Sequence, residues 1–309
     1  MMRLREILIL DEQTVEELLD PAGCLDAVER ALVELAGGDI HLPLRPMIKP
    51  PGSDSVLALM SVHRRGDQPV YGLKTVAVFP ANSARGLDPH QGTVTLYDGE
   101  TGQVVAVMNA TPITAIRTAA ASALATRELA RDDARVLAIV GTGHQGRAHE
   151  RVLSAVLPFD EVLMAGRGEV EEAVRQADVV VTATSSSEPV IRREWLKDGV
   201  HINAVGSCFP DVRELDADTV ATSTFFTDRR ESAETEAGDY VLALAEGAIG
   251  RDHIAAELGD VLTGKHPGRT SRGELTVFES LGIAVEDLYA AEYVVQRARA
   301  EGRGTTVPF

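Results

Sequence analysis

Arg135-Val136-Leu137-Ala138-Ile139-Val140-Gly141-Thr142-Gly143-His144-Gln145-Gly146 is the stretch from which the fold of this chain can be read. The apolar run Val136–Val140 leads directly into a G-x-G-x-x-G pattern, followed by a helical segment, Gln145–Val156, and a second apolar run, Glu161–Ala165. The glycine pattern alone is weak. With a strand before it, and a helix and a strand after it, it has the context that a dinucleotide-binding βαβ unit requires. There the first glycine permits a tight turn, the second lets the backbone approach a pyrophosphate, and the third lets the helix pack against the sheet. The helix N-terminus adds free N–H groups and a partial positive charge. Gly141, Thr142, Gly143, His144, Gln145 and Gly146 are therefore the candidate phosphate-binding residues. A ligand-free glycine turn is the competing reading, and the order of elements argues against it.

Working outward, short apolar runs at Val179–Ala183, His201–Val205 and Phe225–Thr227 alternate with helical or loop segments. That alternation predicts a parallel sheet with helices on its faces. The end of the second strand chooses the cofactor, because an acid there accepts ribose hydroxyls whereas an arginine suits a 2′-phosphate. Ala165-Gly166-Arg167, with no acid before Glu169, favours NADP(H) over NAD(H), with Arg167 as the reader. Only Glu169–Gln176 then separates this strand from Asp178–Ala183. A full dinucleotide half has room for a helix, a strand and a second helix. The unit is therefore expected to be abbreviated after its second strand, with part of its adenine-side wall missing.

The first third reads differently. Ala22 to Ala36 carries Leu25, Val28, Leu32 and Leu35 at helical spacing behind Pro21. The runs Val56–Val62, Val70–Phe79 and Gly92–Tyr97 read as antiparallel strands, the last joined to Val104–Met108 by a glycine-bearing hairpin. Thr111-Pro112 opens an Ala-rich helix to about Ala130, with Thr111 as its expected cap. A final helix covers about Val285 to Ala300, and Gly302–Thr306 reads as a loose tail.

The net charge of −17 excludes a nucleic-acid binder, which needs a basic face. No apolar run approaches the roughly 20 residues of a membrane helix. Met1-Met2-Arg3-Leu4-Arg5-Glu6 and the short run Ile7–Leu10 do not make a signal peptide. Two cysteines, Cys24 and Cys208, cannot form a disulfide framework, so a cytoplasmic location is expected. No metal site is expected.

Lysine is rare: Lys49, Lys74, Lys197 and Lys265 are the four. Lys74 lies within Val70–Phe79, where an ammonium is costly unless it is paired or faces a cavity. It is either on the wet face of an alternating strand or a partly buried proton carrier. Arg117 is the lone charge in Thr114-Ala115-Ile116-Arg117-Thr118-Ala119-Ala120-Ala121, and Arg45 lies in His41-Leu42-Pro43-Leu44-Arg45-Pro46. Arginine grips a carboxylate through two parallel hydrogen bonds. Each arginine alone is more often an ordinary surface residue, and spacing alone does not bring them together.

The chain resembles the ornithine cyclodeaminase/μ-crystallin family over nearly its whole length. The matching segments are Leu73-Lys74-Thr75, Ile113–Ala120, Gly141–Gln145, Ala177–Val180 with Thr182–Ser186, His201–Gly206 and Thr276–Asp287. The resemblance implies a Rossmann-type dinucleotide-binding domain over residues 116–284. It also implies an α+β substrate-binding and dimerisation domain over 1–115 and 285–309, which makes the protein an α/β homodimer. It further implies that Arg45, Lys74 and Arg117 hold a small carboxylate substrate, with Lys74 catalytic. Thr184, Ser185, Val205 and Gly206 would flank the nicotinamide. Cyclodeaminases carry an aspartate just after the strand matching His201–Val205, and here Cys208 takes its place. The segment Pro210-Asp211-Val212-Arg213-Glu214-Leu215 looks instead like the μ-crystallin, imine-reducing branch. The implied activity is NAD(P)H-dependent reduction of a cyclic ketimine carboxylate. A cyclodeaminase, an amino-acid dehydrogenase and a non-catalytic ligand-binding homologue are the alternatives.

Overall fold

The computed structural model describes residues 6–87 and 89–309. Met1–Arg5, read above with the N-terminal run, lie outside them. The chain divides into two compact units, Met1–Arg117 with Ile283–Phe309, and Thr118–Gly282. The expected boundaries, after residues 115 and 284, fall two residues from these.

The first unit begins with β1 (Glu6–Leu10), α1 (Glu12–Leu18) and α2 (Pro21–Gly37). Two short strands follow, β2 (Ile40–His41) and β3 (Met47–Ile48), then the long strands β4 (Val56–Arg64), β5 (Val70–Val78), β6 (His90–Asp98) and β7 (Val104–Asn109). Helix α3 (Ala110–Leu129) carries the chain past Arg117. In the second unit come β8 (Val136–Val140), α4 (His144–Val156), β9 (Glu161–Ala165), α5 (Val170–Gln176), β10 (Val179–Thr182) and β11 (His201–Ala204). They are followed by α6 (Ala217–Thr222), β12 (Thr224–Thr227), α7 (Arg230–Glu236), α8 (Gly238–Ala245), β13 (Ile254–Glu257), α9 (Leu258–Leu262) and β14 (Thr276–Glu279). The chain then returns to the first unit with α10 (Ala284–Glu301) and β15 (Thr305–Pro308).

The first unit's sheet runs β15-β1-β7-β6-β5-β4-β2, with β3 also paired to β4. It is antiparallel except between β1 and β7. Strands β4 and β5 alternate buried and part-exposed residues, so each has a covered face and an open face. Helix α10 lies on β4, β5 and β6 and packs along α2. Gly72 on β5 shows how close it comes: a Cβ there would sit 3.2 Å from Leu288 Cδ1. Helix α2 is capped by Asp20, whose carboxylate accepts the Gly23 N–H, and ends at Gly38 in the left-handed conformation.

Two local readings need correction. The side chain that caps α3 belongs to Asn109, whose Oδ1 accepts the Thr111 N–H at 2.8 Å; the Thr111 hydroxyl donates instead to the His90 carbonyl. The segment Gly302–Thr306, read as a loose tail, ends in β15, which pairs antiparallel with β1 from Glu6↔Pro308 to Ile9↔Thr305, so the backbone from Thr305 on meets a sheet edge.

The second unit is a parallel sheet in the order β13-β12-β14-β11-β10-β8-β9. Strand β9 is the edge, and α5 returns the chain at once to β10, which is the expected shortening after the second strand. Ala138, Val180, Ile202, Phe225 and Val277 form part of its buried core. Strands β13 and β14 were not foreseen. Each is only four residues long, and β14 carries Thr276 and Glu279 even though all its residues are buried. The registers align Val140, Ala165, Thr182, Ala204 and Thr227 along one end of the sheet, so the loops that follow them share an edge.

Asn109→Ala is expected to cost about 1 kcal/mol, a typical cap contribution, and Asn109→Asp to restore it. The check is thermal unfolding; an unchanged Tm for the alanine variant would remove Asn109 as the cap.

Candidate active site

Lys74 projects from β5 onto the covered face of the sheet and is only 2% exposed. The alternation of β5 puts Tyr71 and Leu73 on the other face, so the wet-face reading of Lys74 fails. Its Nζ donates to Asp287 Oδ1 at 2.7 Å. The same oxygen accepts from Arg117 Nε at 3.0 Å, and Arg117 Nη1 donates to Glu286 Oε2 at 2.9 Å. Glu286 and Asp287 stand in the first turn of α10, where helix polarity also favours negative charge. Arg45, part-buried between β2 and β3, is close enough to act on Lys74 electrostatically.

This arrangement gathers Lys74, Arg117 and Arg45, which spacing alone did not join. Lys74 and Arg117 face the two acids, and Arg45 adds a third cation near Lys74. Such a group accommodates one carboxylate from a ligand. Two of the Arg117 nitrogens are already committed to Glu286 and Asp287. Burial, aided by the neighbouring Arg117, lowers the Lys74 pKa from 10.5 to about 8, while Asp287 works to keep the proton on. A lysine poised there exchanges protons readily near physiological pH. Glu286 and Asp287 were missed from sequence; two acids opening a helix read as ordinary dipole partners.

In the second unit the phosphate loop meets the requirements of a dinucleotide. Gly141 has φ +118°, and a Cβ there would lie 2.4 Å from the Ala183 carbonyl oxygen. A Cβ on Gly146 would lie 1.8 Å from the Gly141 oxygen, whereas one on Gly143 would meet nothing within 4 Å. Two glycines are thus required by close packing, and the third leaves open backbone for a pyrophosphate. Thr142 and His144 are exposed, Gln145 is half-buried, and α4 begins at His144. At the end of β9 the Gly166 N–H donates to Glu169 Oε2 at 3.0 Å. Arg167 is exposed, with no ion-pair or hydrogen-bond partner among the described residues.

Thr184 and Ser185 follow β10, and Val205 and Gly206 follow β11. Glu214, which is fully buried, was not singled out from sequence as a site residue. Its Oε1 accepts the Thr184 N–H and hydroxyl, both at 2.6 Å; its Oε2 accepts the Thr182 hydroxyl at 2.7 Å and the Gly206 N–H at 2.6 Å. Burial pushes the Glu214 pKa up, and the four donors pull against that rise. Behind it, burial raises Asp239 to about 7 and drives Glu279 well above the usual carboxylate range, with Ser207 donating to Glu279. Cys208 is half-buried.

Residues 5–169 and 164–302 match the ornithine cyclodeaminase/mu-crystallin family. The chain belongs to this family. It is 31% identical to the Delta(1)-pyrroline-2-carboxylate reductase of Bacillus cereus, over 98% of this chain and 100% of that protein. It is 34% identical to the ketimine reductase mu-crystallin of Mus musculus, over 92% of this chain and 94% of that protein. Among solved structures it is similar to the Thermococcus litoralis Delta(1)-pyrroline-2-carboxylate reductase in complex with NADH and L-proline. The TM-score is 0.93 and the identity 32%, over 97% and 100% of the two chains. It is also similar to an archaeal alanine dehydrogenase dimer with bound NAD, with a TM-score of 0.92 and 31% identity, over 99% and 100%.

The Lys74 shift has a definite sign for stability. The unfolded chain keeps this proton up to about 10.5, whereas the folded chain gives it up near 8. The stabilising contribution is therefore complete above 10.5 and is lost as pH falls through 8. Against Lys74→Met, the wild type should gain of the order of 3 kcal/mol across that window. Denaturant midpoints of both proteins at pH 7.5 and pH 10 test it; a constant difference would contradict a desolvated lysine.

Proposed function

We propose that this protein is an NAD(P)H-dependent reductase that converts a small α-imino acid, a cyclic ketimine carboxylate, to the corresponding amino acid. The observation that carries this reading is the buried group of Lys74 and Arg117 against Asp287 and Glu286, with part-buried Arg45 near Lys74 and the Lys74 pKa lowered to about 8. The full phosphate loop of the second unit, and relatives named for the reduction of pyrroline-2-carboxylate and ketimines, support it. Arg117 and Arg45 anchor the substrate carboxylate. A bound reduced nicotinamide supplies the hydride that the imine carbon accepts. Lys74 Nζ supplies the proton that the nitrogen requires, and Asp287 holds that ammonium charged and oriented. In the reverse direction the neutral lysine takes the proton back.

The cofactor is a nicotinamide dinucleotide. Its phosphorylated form is the proposed preference, because Arg167 is exposed and has no ion-pair or hydrogen-bond partner among the described residues, while the nearby acid, Glu169, bonds to Gly166. The two solved relatives named above hold NADH and NAD, so this preference rests on Arg167 alone. Cys208 stands where the resemblance puts a cyclodeaminase aspartate. A thiol accepts hydrogen bonds poorly, which disfavours deamination of a diamino acid.

A homodimer formed through the first unit is part of the same reading. The open face of its sheet exposes Leu57 and Tyr71, and Ser61, His63, Tyr71, Leu73 and Tyr97 line a cavity of about 460 Å³ there. An apolar face of this kind suits a second copy, and the archaeal relative is described as a dimer. No helix among the described residues is long and apolar enough to cross a membrane. With both cysteines free, a reducing cytoplasm is the proposed compartment; recovery of the native protein from the culture medium would contradict it.

The test is NADPH and NADH oxidation, followed by absorbance, with a panel of cyclic ketimine carboxylates and with ornithine as a control. Ketimine-dependent oxidation is expected, with no ammonia from ornithine. Lys74→Ala should abolish turnover and leave cofactor affinity nearly intact. In wild-type protein kcat/KM for reduction should fall as pH rises through about 8, where Lys74 loses its proton, and the oxidative direction should rise across the same range. Arg167→Ala should erase the preference for NADPH. Ammonia release without net cofactor oxidation would replace the reductase with a cyclodeaminase, and a monomer in sedimentation would remove the dimer.

A further inference from the structure

We infer that Glu214 is a positioning residue for the nicotinamide end of the cofactor: its buried carboxylate clamps the two loops that follow β10 and β11 into one rigid edge. The inference rests on the reading above that Thr184, Ser185, Val205 and Gly206 flank the nicotinamide.

The geometry is specific. Each Glu214 oxygen takes one backbone N–H and one hydroxyl, and all four contacts are between 2.6 and 2.7 Å. Four donors fill the acceptor sites of an ionised carboxylate. They come from both strands' ends: Thr182 and Thr184 from β10 and its loop, Gly206 from the loop after β11. The carboxylate therefore fixes the separation of the two loops as well as the orientation of each. Gly206 shows how little slack remains, since a Cβ there would lie 2.2 Å from the Thr184 carbonyl oxygen and 2.6 Å from Glu214 Cδ.

Glu214 is itself held from behind. Asp239, in the first turn of α8, accepts the backbone N–H groups of Glu214 and Leu215 through Oδ1, both at 2.8 Å. The Gly238 N–H donates to the Ser207 carbonyl. A Cβ on Gly238 would lie 1.6 Å from the Val212 carbonyl oxygen, so α8 presses directly on the segment that carries Glu214. The chain of support runs from α8 through Asp239 to the Glu214 backbone, and from its carboxylate to the two loops. A carboxylate that served stability alone could have been replaced by apolar packing; one that takes a backbone N–H from each of two loops fixes their spacing.

The experiment compares wild type with Glu214→Gln and the milder Thr182→Val, which deletes one donor without charge. Two probes are titrated: the reduced dinucleotide that wild type prefers, followed by its nicotinamide fluorescence, and ADP-ribose or its 2′-phosphate, which lacks nicotinamide. In Glu214→Gln the amide N–H₂ confronts one backbone N–H, that of Thr184 or of Gly206. Affinity for the whole dinucleotide should drop about tenfold or more, the nicotinamide emission change should shrink, and kcat should fall. The nicotinamide-free probe should bind within about twofold of wild type, because none of the four groups that donate to Glu214 belongs to the phosphate loop. Thr182→Val should show the same selective loss, smaller in size. Equal losses for both probes would mean a general structural role and overturn the clamp, as would a Glu214→Gln protein indistinguishable from wild type. If wild type itself bound no dinucleotide, the reductase reading and the clamp would fall together, an outcome separate from failure of the clamp alone.

Discussion

Two acids on one helix turn, Glu286 and Asp287, face two bases delivered from distant parts of the chain, Lys74 on β5 and Arg117 on α3, and all four are almost completely buried. Isolated charges in such a place cannot stand, because removing one partner from a buried set leaves another uncompensated, at a penalty of roughly 3–5 kcal/mol. The group therefore ties the first turn of α10 to Lys74 on β5 and to Arg117, within the unit in which the chain began. It also sets the chemistry. Asp287 shared between Lys74 and Arg117 is enough to hold a charged lysine, yet not enough to offset its burial, and the result is an ammonium near the edge of deprotonation.

The sheet of the second unit supplies a different kind of constraint. Parallel strands in register bring their carboxyl ends to one edge, so the loops after them become neighbours whatever their sequence distance. The glycines at 141 and 146 let that edge close on itself, and Glu214 spaces the loops after β10 and β11. The abbreviated connection between β9 and β10 leaves β9 as the sheet's margin.

Much of this architecture was legible from local pattern. The strand-loop-helix-strand order around Gly141, the alternation along β4 and β5, and the short helix α5 are all written in residues close together in the chain, where periodicity and glycine chemistry act over a few positions. Errors arose where an equally local signal had two candidates, as when Asn109 and not the adjacent Thr111 capped α3. They arose too where a segment depended on a partner far away, as β15 depends on β1. Strand β14 was illegible for a related reason: its Thr276 and Glu279 look like surface residues, yet Thr276 meets His201 and Glu279 meets Ser207 inside the sheet layer.

What the sequence by itself determined was the class of fold and the glycine loop after β8, because a glycine pattern between an apolar strand and a helix has few physical explanations; Lys74, Arg117 and Arg45 were singled out by the family resemblance. Only the tertiary structure decided that Lys74, Arg117 and Arg45 share one site, that Asp287 and Glu286 complete it, and that Glu214 joins two loops. Those relations depend on groups tens to more than two hundred positions apart, brought within 3 Å by packing in the case of Lys74, Arg117, Asp287, Glu286 and the Glu214 contacts. No pattern of spacing along the chain encodes a distance of that kind.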